Sequence, residues 1–60
     1  MPSDETRRLL KLFGVAVTNL EDAIDGPAPR EEIMKWDREL ADRTREVIAH
    51  VDRLRSRRIQ

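Results

Sequence analysis

The 60-residue chain has no cysteine and no tyrosine. The missing cysteines exclude a disulfide framework, a thiolate metal site and a cysteine nucleophile. A lone histidine, His50, cannot build a structural zinc site by itself. Aromatic residues are limited to Phe13 and Trp36, and only two Gly and three Pro interrupt the helix formers. No apolar run approaches the ~20 residues that cross a bilayer. The start, Met1-Pro2-Ser3-Asp4-Glu5, lacks the basic and apolar regions of a secretory leader, so a cytoplasmic location is expected. Twelve basic and twelve acidic side chains leave zero net charge, which argues against disorder by like-charge repulsion and against a chain-wide nucleic-acid surface. No glycine-rich phosphate loop, nucleophile elbow or Cys/His cluster occurs. The expectation is therefore a protein that is not an enzyme and carries no cofactor and no metal.

What is present is a helical composition, 40% charged and 38% hydrophobic, of the kind found in bundles and coiled coils. A chain this short is marginal alone. With no disulfide or metal to staple it, oligomerisation is the usual remedy.

The first helix is predicted over residues 4–25. Ser3 suits an N-cap, and Asp4 and Glu5 suit the positive end of the helix dipole. Arg7 and Arg8 are spaced to pair back with them. Leu9, Phe13, Ala16, Leu20 and Ala23 form a seam with heptad spacing, and Leu10, Val17 and Ile24 form a second row beside it. An arc this wide fits a helix that touches two neighbours in a bundle. Gly14 weakens the helix locally, as a surface glycine or as a point of close helix approach.

Residues 26–28, Gly26-Pro27-Ala28, form the turn. Gly26 suits a C′ position, Pro27 blocks continuation, and Pro29 suits N1 of the next helix. A connection of this length makes the helices antiparallel neighbours. The second helix is predicted over residues 29–58, with Ile59 and Gln60 fraying. Glu31 is spaced to pair with Lys35, and Glu39 with Arg43. Its seam reads Ile33, Asp37, Leu40, Thr44, Val47, Val51 and Leu54, flanked by Trp36, Ala41 and Ile48. Folding back at the turn sets Leu20 near Trp36, Ala16 near Leu40 and Leu9 near Val47. Val51, Leu54 and Ile59 then extend past the start of the first helix.

The fold class expected is all-α, an antiparallel two-helix hairpin in a single domain that self-associates into a four-helix bundle. The function expected is that of a small non-catalytic interaction protein, an assembly, adaptor or regulatory subunit. Its partners are a second copy of itself, as a homodimer or higher homo-oligomer, and a protein of unknown identity. The candidate interface residues are Leu10, Val17, Ile24, Trp36, Val51 and Leu54. One alternative is a nucleic-acid-binding regulator that grips phosphate through Arg53, Arg55, Arg57 and Arg58. Another is an enzyme that uses Asp37. The stretch Asp37-Arg38-Glu39-Leu40-Ala41-Asp42 resembles in part the Ser-Gln-Glu-Leu-Asp motif of small helical-hairpin phosphatases of sporulation regulators. It departs from that motif in Asp for Ser and in an added Ala, so no role is carried over. Asp37 and Thr44 also suit polar seam positions that set register, with Thr44 bonding back to the Leu40 carbonyl. Glu46 and His50 read as an exposed pair beside Arg53.

Overall fold

A computed structural model describes residues 1–59 and contains two helices, α1 (Asp4–Asp25) and α2 (Arg30–Ile59), which pack on each other. No strand occurs among the described residues. α1 begins where Ser3, in extended conformation at φ −71° and ψ 162°, accepts the Thr6 N–H on its side chain at 3.1 Å. That bond satisfies one of the amides a helix start leaves free. Asp4 and Glu5 occupy the first turn, where the dipole favours them.

The turn is closed by two backbone bonds, from Gly26 N–H to the Asp22 carbonyl at 2.8 Å and from Ala28 N–H to the Ala23 carbonyl at 3.0 Å. Gly26 sits at φ −99° and so does not use the left-handed region. Its role is close approach, since a Cβ there would meet the Asp22 carbonyl oxygen at 2.8 Å. The Pro29 carbonyl accepts from Glu32 at 3.0 Å and Ile33 at 3.2 Å. Pro29 therefore caps α2 from outside, one position earlier than N1. α2 continues through Ile59. Gln60, expected to fray, lies outside the described residues.

The register follows from three contacts across the pair. Thr6 Oγ1 lies 2.8 Å from His50 Nε2, and Glu5 Oε1 lies 3.0 Å from His50 Nδ1 and 3.2 Å from an Arg53 terminal nitrogen. Carried along two antiparallel helices of equal rise, this register sets Ala16 level with Leu40 and Leu20 level with Trp36.

The α2 seam differs from the one the apolar pattern suggests. Ile33, Trp36, Leu40, Arg43, Val47, His50 and Leu54 are buried or half-buried, whereas Asp37 and Val51 are exposed. Asp37 and Val51 thus give way to Trp36 and His50, one residue earlier, while Arg43 joins the half-buried Thr44. Trp36, Arg43 and His50 carry long or broad bodies whose stems and rings cover apolar surface, and the polar ends of Arg43 and His50 reach partners. The same shift moves Val51. It lies beside Glu5, within the length of α1, and is exposed through its angle on the helix rather than through an overhang. Leu54 is half-buried beside Ser3.

The Cα envelope measures 48 × 19 × 13 Å, a slab one helix thick. Such a slab has a seam but no interior. Among the described residues Leu9, Ala16 and Ala23 are the buried apolar ones, and no large side chain is fully enclosed. A compact 7.0 kDa monomer is expected to expose about 4,000 Å². This hairpin exposes 5032 Å².

Candidate functional site: an apolar face and a histidine clamp

Leu10, Val17 and Ile24 each follow a buried α1 residue by one position, after Leu9, Ala16 and Ala23. One step along a helix is a turn of about 100°, so these three side chains point to one side of the seam. On α2, Met34, Ala41, Ile48 and Val51 likewise follow Ile33, Leu40, Val47 and His50, with Asp37 after Trp36 and Thr44 after Arg43 between them. In two antiparallel right-handed helices, the residues that follow the seam fall on the same side of the pair. The hairpin therefore gathers both rows onto one face. Leu10 is 55% exposed, Ile24 57% and Ile48 56%, with Val17, Met34 and Val51 also open. Residues that precede the seam fall on the opposite face, and most are charged: Arg8, Asp22, Lys35, Glu39, Asp42, Glu46 and Arg53.

Of the expected interface residues, Leu10, Val17, Ile24 and Val51 stand exposed on the apolar face, while Trp36 and Leu54 are half-buried in the seam. The Lys35 ammonium lies 4.9 Å from the Trp36 ring centroid, a cation–π contact in place of an ion pair with Glu31. Asp37 is exposed and Thr44 half-buried, and Thr44 Oγ1 donates to the Leu40 carbonyl at 2.8 Å.

On the charged face, Arg43 donates to Glu39 at 2.9 and 3.1 Å and to Glu46 at 2.7 Å. The Glu39 hydrogen bond, against the lowering effect of desolvation and with the added Glu39 charge and Glu46 carboxylate, holds Arg43 above its ordinary range. It stays charged while its stem lies in the seam. Asp42 pairs with Arg45.

The seam ends in a constellation that periodicity places elsewhere. His50, read from the sequence as an exposed partner of Glu46, is only 8% exposed. Its ring sits between Thr6 and Glu5 of α1, with Arg53 closing on Glu5 from the next turn of α2. Glu46 pairs with Arg43 instead. A neutral ring with its proton on Nδ1 donates to Glu5 and accepts from the Thr6 hydroxyl. Thr6 Oγ1 also lies 3.1 Å from Ser3 Oγ, which links the clamp to the N-cap.

Hydroxyl, imidazole and carboxylate in that order also describe an activated nucleophile. The surroundings favour a clamp. The adjoining groove, about 640 Å³, is lined by Ser3, Glu5, His50, Arg53, Leu54 and Arg57 among others, but not by Thr6, so the hydroxyl does not open onto it. Arg53 is engaged with Glu5 at 3.2 Å, and Arg55, Arg57 and Arg58 are exposed. Among the described residues no group of three His, Cys, Asp or Glu is placed to hold a metal ion, and no helix is long and apolar enough to cross a membrane.

The comparisons with known proteins add no relative, since no family model, no curated protein and no solved structure matches this chain.

Proposed function

We propose that the chain is a small non-catalytic interaction protein that works as a self-associated helical bundle, first of all a homodimer, and presents its remaining surface to a protein partner. The observation that carries this reading is the apolar face. Leu10, Val17 and Ile24 of α1 and Met34, Ile48 and Val51 of α2 lie open on one side of a slab 13 Å thick in Cα extent. Contiguous apolar surface of this kind marks an association site. The excess surface points the same way. It is roughly 1,000 Å² beyond a compact monomer, close to the ~800 Å² each partner gives to a standard interface. Two hairpins placed face to face give the four-helix arrangement, with α1 contributing one row to its own seam and another to the second copy.

Sedimentation of the purified chain tests this. The reading expects a species of twice 7.0 kDa and its conversion to monomer by Val17→Glu, which places a charge in the middle of the face. A folded wild-type monomer at high concentration would reject it.

A second reading has its own observation. Arg55, Arg57 and Arg58 lie exposed at one end of α2 with no acidic residue between them, and such a run suits phosphate contacts. It expects a salt-sensitive shift of nucleic acid that disappears in the Arg55→Gln, Arg57→Gln, Arg58→Gln variant. No shift at low salt would rule it out.

A further inference from the structure

We propose that the second copy docks head to tail, about a two-fold axis perpendicular to the helices that passes at the level of Ala16 and Leu40. The proposal rests on the dimer reading above and adds the orientation of the partner. Two observations carry it, the distribution of charge and the symmetry of the apolar rows.

The hairpin is electrically polar along its length although its net charge is zero. Its turn end carries Glu21, Asp22, Asp25, Glu31 and Glu32 against two bases, Arg30 and Lys35. Its open end carries Arg7, Arg8, Arg53, Arg55, Arg57 and Arg58 against Asp4, Glu5 and Asp52. Two face-to-face arrangements bury the apolar face with two-fold symmetry. An axis parallel to the helices brings like ends together, so the two arginine-rich ends repel. An axis perpendicular to them brings each basic end onto the acidic turn of the other copy. Complementary potentials select the second arrangement.

The apolar rows obey the same axis. Leu10, Val17 and Ile24 are spaced evenly about Val17, and Met34, Ala41 and Ile48 evenly about Ala41. In the register set by the Thr6–His50 bond, Val17 and Ala41 both lie within about two residues, or ~3 Å, of the Ala16–Leu40 level. Reversal about that level sets α1 on α1, with Val17 facing its own copy and Leu10 facing Ile24. It also sets α2 on α2, with Met34 facing Ile48. The last turns of α2, which outrun α1, then lie alongside the partner's turn, beside Asp25 and Glu31. The like-ends arrangement instead sets α1 on α2 and brings Leu10 to Ile48.

The natural chain has no cysteine, so single-cysteine variants at these exposed positions report orientation cleanly by disulfide trapping, which requires Cα atoms within about 7 Å. Head-to-tail docking expects rapid self-cross-linking of Val17→Cys. It also expects a mixed disulfide when Leu10→Cys and Ile24→Cys are combined, and none when Leu10→Cys and Ile48→Cys are combined. The dimer should also weaken several-fold as salt is raised, because its ends attract. Efficient Leu10→Cys to Ile48→Cys trapping, with a dimer that tightens in salt, would overturn the orientation and leave the dimer standing. A wild-type chain that sediments as a monomer would overturn both and assign the face to a different protein.

Discussion

α1 closes the hairpin with Leu9, Ala16 and Ala23, whereas among the described residues of α2 the one buried as deeply is His50. α1 contributes shape. Its two seam alanines leave room for larger side chains to cross from the other helix. α2 contributes reach, through the Trp36 ring, which carries the Lys35 ammonium over it, the Arg43 stem, whose guanidinium pairs with Glu39 and Glu46, and the His50 imidazole, which meets Glu5 and Thr6. The difference divides the work of folding. Apolar burial by α1 supplies attraction but tolerates sliding. Of these groups His50, with Arg53 beside it, meets particular atoms of α1 and so selects one register, the role that polar seam residues have in coiled coils.

The largest effect is expected where the apolar half is cut. Leu9 is 5% exposed and faces the Val47 level of α2. Leu9→Ala should cost about 2–4 kcal/mol, read from urea denaturation at fixed protein concentration because association adds to stability. A loss under about 1 kcal/mol would mean that the site collapses freely and that α1 does not hold the seam.

The polar half should give a smaller loss with a different signature. His50→Ala removes the group that ties Glu5 and Thr6 to α2, and about 1–2 kcal/mol should follow. Thr6→Val leaves His50 Nε2 without its 2.8 Å partner and should cost a similar amount. The double variant should fall short of the sum, because both changes break one bond. Additive losses would show that the clamp does not act as a unit.

One change should strengthen the hairpin. A Cβ added at Gly14 meets nothing within 4 Å, so the glycine is not required for close approach of the helices. Gly14→Ala should raise stability by about 0.5–1 kcal/mol through backbone entropy alone, seen as a higher urea midpoint with an unchanged slope.

Much of the fold was legible from local chemistry. Ser3 marks the start of α1, Gly26-Pro27 its end, and the heptad rows of α1 show which side is covered. The phase of α2 was not legible. Its two candidate seams differ by one residue at alternate positions, and hydropathy prefers Val51 over His50 and cannot credit Arg43 with its stem. The bonds that decide the phase join residues 44 positions apart, and no periodicity within α2 contains them. The histidine clamp is hidden from local pattern for the same reason. The one available signal was the heptad spacing, His50 lying seven residues beyond Arg43 and Arg43 seven beyond Trp36. The apolar face was visible on α1 as a second row. Its continuation on α2 appears only once the phase is known, since Met34, Ala41 and Ile48 form a row only relative to a seam through Ile33, Leu40 and Val47.

The smallest expected effect sharpens that distinction. Had Asp37 lain in the seam, it would be a buried carboxylate without a close base, and Asp37→Asn would relieve a penalty of several kcal/mol. Here the residue is exposed, and Trp36 takes the seam position beside it. In the dissociated hairpin Asp37→Asn should therefore change stability by less than about 0.5 kcal/mol. A clear gain would place Asp37 against another helix. That helix would have to belong to the second copy, because within one hairpin the side chain is open to water. Comparing the variant at dilute and concentrated protein separates the two cases, since only a contact between copies makes the effect of the substitution grow with concentration.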